Sequence, residues 1–362
     1  MNSEQLSRIK LQGYKSIKEC DLELKELNVL IGPNGAGKSN FIGFFKLIQQ
    51  TLEGNLQRFI SKNGGPDSFL HFGRKKTEQL KAEVYFGNNG YKFVLEATVD
   101  NRMMFASEDV WWNVVGDKHL GAGHFETFVK EQRKKIGAIY NHTVPVMKNW
   151  RVYHFHDTSE SALVKLTHSI ADNEYLRSDG KNLAAFLFRL KQHHPAAYDH
   201  IVKTIRLVAP FFGDFRLRKG VDNPDMIELE WSEFGEDEPF KAHHFSDGTL
   251  RFICLATVFL QPEEFQPETI LVDEPELGLH PYAIKILASL IRSASKTKQV
   301  VISTQSVTLL NEFEPENLIV CDRKAGSSVL RRIGKDELTE WLKEYTLGEL
   351  WEKNILGGRP AR

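Results

Sequence analysis

The stretch Gly32-Pro33-Asn34-Gly35-Ala36-Gly37-Lys38-Ser39 narrows the possible folds more than any other part of the chain. It fits G-x-x-x-x-G-K-[ST], in which glycines let backbone N–H groups turn inward around phosphate oxygens that a Cβ would keep away. The flanks supply the setting. "LNVLI" before it is a short apolar run of buried-strand type, and "NFIGFFKLIQQTL" after it repeats Phe41, Phe44, Phe45, Ile48 and Leu52 at helical spacing. A strand, a glycine turn and a helix N-terminus place an anion where the helix dipole and free amides favour it. Asn34, Gly35, Ala36, Gly37, Lys38, Ser39 and Asn40 are therefore expected to line a nucleotide site. Lys38 would reach the β- and γ-phosphates, and the Ser39 hydroxyl would take a Mg²⁺ position.

The rest of the composition limits what such a site can serve. With 41% hydrophobic and 26% charged residues, the 362-residue chain can bury a large core in one domain or two lobes. A net charge of −1 gives no overall drive toward nucleic acid or membrane, so any DNA contact must come from local basic stretches. Those are Arg74-Lys75-Lys76, Arg133-Lys134-Lys135 and Arg216 with Arg218 and Lys219. Cys20, Cys254 and Cys321 are odd in number and far apart, which points to reduced thiols rather than a disulfide framework or a zinc site. The polar N-terminus and the lack of an apolar run near ~18 residues lead us to expect a cytoplasmic protein without a membrane segment.

Periodicity places the remaining elements. Arg8 to Leu24 reads as one or two strands, and "LKAEVYFGNNGYKFVLEATV" reads as a hairpin about Asn88-Asn89-Gly90. "FETFVKEQRKKIGAIY" and "NLAAFLFRL" have helical patterns, and "MIELEW" reads as a strand. "TILVDEP", "VVIST" and "NLIVCDR" are apolar strands, the first two separated by the helix "YAIKILASLIRSAS". "KDELTEWLKEYTLGELWEK" reads as helix. The expected class is α/β: a P-loop parallel sheet, an N-terminal antiparallel β subdomain and a helical insert, with no long coiled coil. The expected divisions are an N-terminal lobe over 1–120, a mainly helical insert over 121–240 and a C-terminal lobe over 241–362.

Two further motifs follow the phosphate loop. "TILVDEPE" sets Asp273 and Glu274 at a strand end, where the first carboxylate can hold Mg²⁺ and the second can activate a water. "HHFSDGTLRFICLATVFL" opens an apolar helix with Ser246 and Gly248, a second anion cradle or a plain N-cap. "VYHFHDTS" offers His154, His156 and Asp157 as polar candidates for the pocket.

The ordered set of phosphate loop, S-x-G helix, Asp-Glu strand end and "STQS" resembles the ABC-type ATPases, in their soluble RecF/SMC-like branch (OLD-like, without a Toprim domain). "FSDGT" stands at the family's signature, "ELGLHP" at its D-loop, and Gln305 at the position of its switch histidine. Gln305 can hydrogen-bond a γ-phosphate or a water but cannot carry a proton charge. "GYKSI", with Lys15 and Ser16, resembles an N-terminal element that reaches the nucleotide in SMC-like proteins. The resemblance implies ATP and Mg²⁺ as ligands and a homodimer closed head to tail on ATP. In that dimer Ser246 and Gly248 touch the partner copy's nucleotide, and Glu274 acts as the general base. The absence of heptads argues against a long-armed tether. The short stretch after Gln305 argues for an effector, such as a nuclease, on a separate protein acting in trans. Two roles are implied: control of such an effector in bacterial anti-phage defence, or direct clamping of duplex DNA in repair, as in RecF. "LGELWEKNILGG" could dock a partner or pack on its own domain.

Overall fold

The computed structural model describes residues 5–220, 222–236, 238–334 and 337–357. The chain divides into two compact units. The first comprises 1–152, 267–271 and 298–362, and the second 153–266 and 272–297.

The first unit begins with β1 (Arg8–Tyr14), β2 (Ile17–Glu23) and β3 (Leu27–Ile31), followed by α1 (Lys38–Glu53) and α2 (Leu56–Lys62). Four antiparallel strands come next, β4 (Gln79–Phe86), β5 (Asn89–Ala97), β6 (Met103–Trp112) and β7 (Gly116–Gly121), then α3 (Arg133–Ile136), α4 (Ala138–Lys148) and β8 (Arg151–Tyr153), whose last residue begins the second unit. The second unit contains β9 (His168–Ser169), α5 (Leu183–His193), α6 (Pro195–Val208), β10 (Phe212–Phe215), β11 (Met226–Ile227), β12 (Glu230–Glu233), β13 (Phe240–Lys241) and α7 (Asp247–Leu260). β14 (Thr269–Asp273) passes from the first unit into the second at Val272, and α8 (Pro281–Ala294) follows it. The chain closes in the first unit with β15 (Gln299–Thr304), α9 (Val307–Leu310), β16 (Leu318–Lys324), β17 (Ser327–Arg332) and α10 (Leu347–Glu352).

One mixed sheet carries the first unit, in the order β7-β6-β5-β4-β1-β2-β17-β16-β3-β15, with β14 and β8 at its end. β3 runs parallel to both β15 and β16, so its five residues are buried on both faces. This explains why "LNVLI" reads as an unbroken apolar run. The expected N-terminal subdomain is an antiparallel extension of the same sheet, joined where β17 meets β2 at the register pair Ser328 and Ile17. Phe41, Phe44, Phe45 and Ile48 are 0% exposed and Leu52 1%, as their spacing on α1 predicts. Phe45 packs edge-on against Trp150 at 4.8 Å. Burial of each such side chain is worth ~1.5–3 kcal/mol. This cluster holds the helix behind the phosphate loop.

Several local expectations are revised. The hairpin turns at Gly87-Asn88, one position before the expected Asn88-Asn89-Gly90, with Ala82 opposite Phe93 and Val84 opposite Tyr91. Helix in "FETFVKEQRKKIGAIY" starts only at Arg133 and is interrupted at Gly137. The preceding residues are claimed by tertiary bonds: Glu126 accepts from the Leu56 and Gln57 amides, and Thr127 and the Phe128 amide donate to the buried Glu108. "MIELEW" is two strands, because β11 pairs with β9 while β12 pairs with β10 and β13. Between them the carbonyl of buried Leu229 accepts from the Ala242 amide. The C-terminal helix is broken into a 3₁₀ turn over Trp341–Lys343 and α10, since extended Thr346 forms a capping box with Glu349. Lys335 and Asp336, the first residues of that expected helix, lie outside the described residues. Leu350 and Leu356 are buried and Gly348 donates to Asn311 beyond α9, so this segment packs on its own unit.

Candidate functional site

The phosphate loop leaves β3 at Gly32 and enters α1 at Lys38. Gly37 takes φ 110°, and a Cβ there would lie 2.1 Å from the Ser328 Oγ, so only glycine fits. Lys38 is 5% exposed, and its ammonium donates to the Gly32 and Pro33 carbonyls at 2.7 and 3.1 Å. The charge is thus held within the turn rather than reaching into solvent. Asn34, Gly35 and Ser39 are exposed, while Ala36 is buried.

Three further segments of the same unit converge on this loop. Ser16 Oγ accepts from Asn40 Nδ2 at 2.7 Å and from Ser328 Oγ at 2.7 Å. Lys15 is one of the few non-glycine residues with left-handed backbone (φ 48°), and its carbonyl lies 2.6 Å from His71 Nδ1. Burial near the Tyr14 and Phe69 rings lowers the Lys15 pKa below that of an ordinary lysine. Gln305, just past β15, donates from Nε2 to Asn34 Oδ1 at 2.8 Å. Parallel pairing of Thr304 with Ile31 produces this meeting, since both strands end beside the loop. Arg323 donates to the Gly35 carbonyl at 3.4 Å.

The carboxylates belong to the second unit. Asp273 is 7% exposed at the end of β14, and Glu274 follows it with φ 47°, a strained conformation for a residue with a side chain. The His156 Nε2 lies 3.0 Å from the Asp273 carbonyl, and the His154 Nδ1 lies 3.9 Å from Asp273 Oδ2. The histidine pair of "VYHFHDTS" is therefore brought to Asp273. Asp157 instead accepts from the Ser159 amide and hydroxyl, and these bonds lower its pKa.

Ser246 caps α7: its Oγ accepts from the Thr249 amide at 3.2 Å while the residue stays exposed. Gly248 has a packing requirement of its own, because a Cβ there would lie 2.4 Å from the Gly278 carbonyl oxygen. Arg251 ties these parts together. Its guanidinium donates to the carbonyls of Phe155 (2.9 Å), His156 (2.9 Å) and Leu277 (3.0 Å). Sequence reasoning missed Arg251, yet a lone arginine inside an otherwise apolar helix is a signal that could have flagged it. Ser328 and Arg323 were also missed; both follow from β16–β17 pairing, which local sequence does not disclose.

The basic stretches are partly committed within the protein. Arg74 binds Asp67 at 3.0 Å and Arg218 binds Glu230 at 2.7 Å. Among the described residues no cluster of three His, Cys, Asp or Glu could hold a metal, and no helix is long and apolar enough to cross a membrane.

Comparison with known proteins gives a consistent picture. Residues 27–311 match the family described as "AAA domain, putative AbiEii toxin, Type IV TA system". The Old nuclease of Escherichia phage P2 is 24% identical over 388 residues, covering 93% of this chain and 62% of the nuclease. The chain therefore spans less than two thirds of that relative. The DNA replication and repair protein RecF of Vibrio cholerae (El Tor Inaba) is 32% identical over 83 residues, covering 22% of this chain and 23% of RecF. The crystal structure of an Smc head bound to the C-winged helix domain of ScpA shares the fold. It matches with a TM-score of 0.61 and 19% identity, over 92% of this chain and 99% of that one.

Proposed function

Because the chain belongs to this AAA-domain family, as an ATP hydrolase of the ABC type in its RecF/SMC-like branch, we propose that two copies close head to tail on ATP in the cytoplasm, and that hydrolysis controls a separate nuclease effector in anti-phage defence. The observation that carries the closure is the Ser246 turn. It stands exposed at the start of a helix whose other residues are mostly buried, as a surface offered to a second copy's γ-phosphate would be. The name of the phage P2 relative, similar over nearly the whole of this chain, supports a nuclease effector.

The roles follow from the chemistry of each group. Lys38 and the loop amides hold the β- and γ-phosphates, assisted by Lys15, Ser16 and Asn40. Ser39 offers a hydroxyl and Asp273 a carboxylate, each a hard oxygen donor of the kind Mg²⁺ takes alongside phosphates and waters. Mg²⁺ on the nucleotide would neutralise phosphate charge. Glu274 accepts a proton from the attacking water, and Gln305 orients that water or the γ-phosphate through its amide. The water oxygen bonds to γ-phosphorus, and the bond to ADP breaks.

The test is the solution mass of Glu274→Gln with ATP, set beside Lys38→Ala. A doubled mass in the first and not in the second is expected; equal masses would sink the closure. Mass spectrometry of what copurifies with Glu274→Gln from the native host then examines the effector. A stoichiometric nuclease supports the defence role. DNA without a protein partner would favour direct clamping, the second reading, for which the RecF similarity speaks.

A further inference from the structure

Two of the three basic stretches are anchored by ion pairs through Arg74 and Arg218, but among the described residues Arg133, Lys134 and Lys135 join none. These three exposed residues open α3. The Arg133 guanidinium lies over the Tyr140 ring at 5.0 Å, and the Lys135 ammonium donates to Gln132 Oε1 at 3.1 Å. Neither charge is spent on a carboxylate.

A cavity of about 470 Å³ lies between the end of α3, the start of α4 and the tips of two hairpins. Its walls are fastened on both sides. The Asn113 amide donates to the Asn88 carbonyl at 3.1 Å and Asn113 Nδ2 to Asn88 Oδ1 at 2.8 Å, which ties the β6–β7 tip to the β4–β5 tip. Lys118 donates to the Lys135 carbonyl and Gln132 to the Leu120 carbonyl, which ties β7 to α3. Buried Ile136 and Ile139 line the cavity together with exposed Trp112 and Val115. Val114, beside them but outside the lining, is 73% exposed. An open apolar patch with a polar rim marks a contact surface.

We propose that this groove docks a segment of a partner protein in which large apolar side chains are flanked by carboxylates. The apolar side chains enter between Trp112, Val115 and the two isoleucines, and the carboxylates meet Arg133, Lys134 and Lys135 at the rim. Three features select this occupant. A small ligand filling the cavity leaves Val114 uncovered, whereas a polypeptide covers both. A second copy docked through the same face sets cation against cation. A nucleic-acid backbone pairs with the lysines but leaves the apolar cavity empty. Acidic residues of the neighbouring strands do not compete for the rim, since Asp117 pairs with Lys92 at 2.7 Å and Asp109 with His119 at 2.9 Å. The inference stands apart from the nucleotide site and needs neither ATP nor closure of two copies.

The test is selection of a random dodecapeptide phage library on the wild-type protein, after depletion on Val115→Asp. Val115 is 66% exposed, so the variant should melt like wild type, which circular dichroism checks. The survivors are expected to carry several large apolar residues and a net negative charge. Followed as synthetic peptides by fluorescence anisotropy, they should bind roughly tenfold or more weakly to Val115→Asp and to the double variant Lys134→Glu, Lys135→Glu. Their binding to wild type should also weaken as salt is added. Neutral or basic survivors, survivors that bind both variants as tightly as wild type, or no survivors at all overturn the proposal. Co-sedimentation with vesicles of equal parts phosphatidylcholine and phosphatidylserine examines the other class of surface. Sedimentation of wild type that is lost in Val115→Asp makes the patch a membrane contact and overturns peptide docking; no sedimentation supports it.

Discussion

Glu274 and Ser246 show how one residue can serve two accounts. A general base contributes ~10²–10⁴-fold in rate, so Glu274→Gln should bind ATP but hydrolyse it at least ~100-fold more slowly in a steady-state phosphate-release assay. Unchanged turnover would remove Glu274 from the role. Ser246 has a structural duty as N-cap, and Ser246→Ala should cost about 1 kcal/mol in urea unfolding even without nucleotide. Any loss of activity in that variant must be compared with its stability. Gly248→Ala would drive a methyl group into the Gly278 carbonyl, so it should destabilise by about 1–3 kcal/mol whatever the γ-phosphate does. At this scale the sequence was most readable where chemistry demands particular residue types at fixed spacing. Gly37, Lys38, Asp273 and Glu274 stand out for that reason. Arg251 and Ser328 owe their places to partners far along the chain, and nothing near them in sequence names those partners.

Elements with strong internal periodicity were legible, and those shaped by outside bonds were not. α1 follows its pattern because one apolar stripe faces one core, and Phe45→Ala should cost ~3–5 kcal/mol by urea melt. The stretch before Arg133 carries a helical pattern but not a helix. Buried Glu108 takes hydrogen bonds there from Thr127 and the Phe128 amide, together with Tyr91 at 2.6 Å and a His124 ring nitrogen at 2.9 Å. Local helical bonds compete poorly with a buried carboxylate that needs donors. The division of "MIELEW" into two strands has a similar origin, since the chain changes sheets at Glu228-Leu229.

For the molecule as a whole, the three cysteines report on how tightly the units are packed. Cys20, Cys254 and Cys321 are all buried, and burial pushes each thiol up to about 12. A folded pKa above the unfolded one contributes stability that is complete below about pH 8.5 and lost as pH rises toward 12. Unfolding free energy should therefore fall above pH 9, by on the order of 1.4 kcal/mol per pH unit for each thiol. Urea melts at stepped pH would record it, with a shallower fall in Cys254→Ala. At neutral pH none of the three should react with a thiol reagent until the protein unfolds. The mixed sheet has a consequence of a different kind. Its antiparallel flank and parallel core meet at the Ser328–Ile17 register pair, while one buried apolar cluster takes in side chains of α1, of the flank strands and of β3, β15 and β16. The flank is glued on more than it is stitched. Glue of this sort slackens in the cold, so the line along which chilling first loosens the sheet runs beside the phosphate loop.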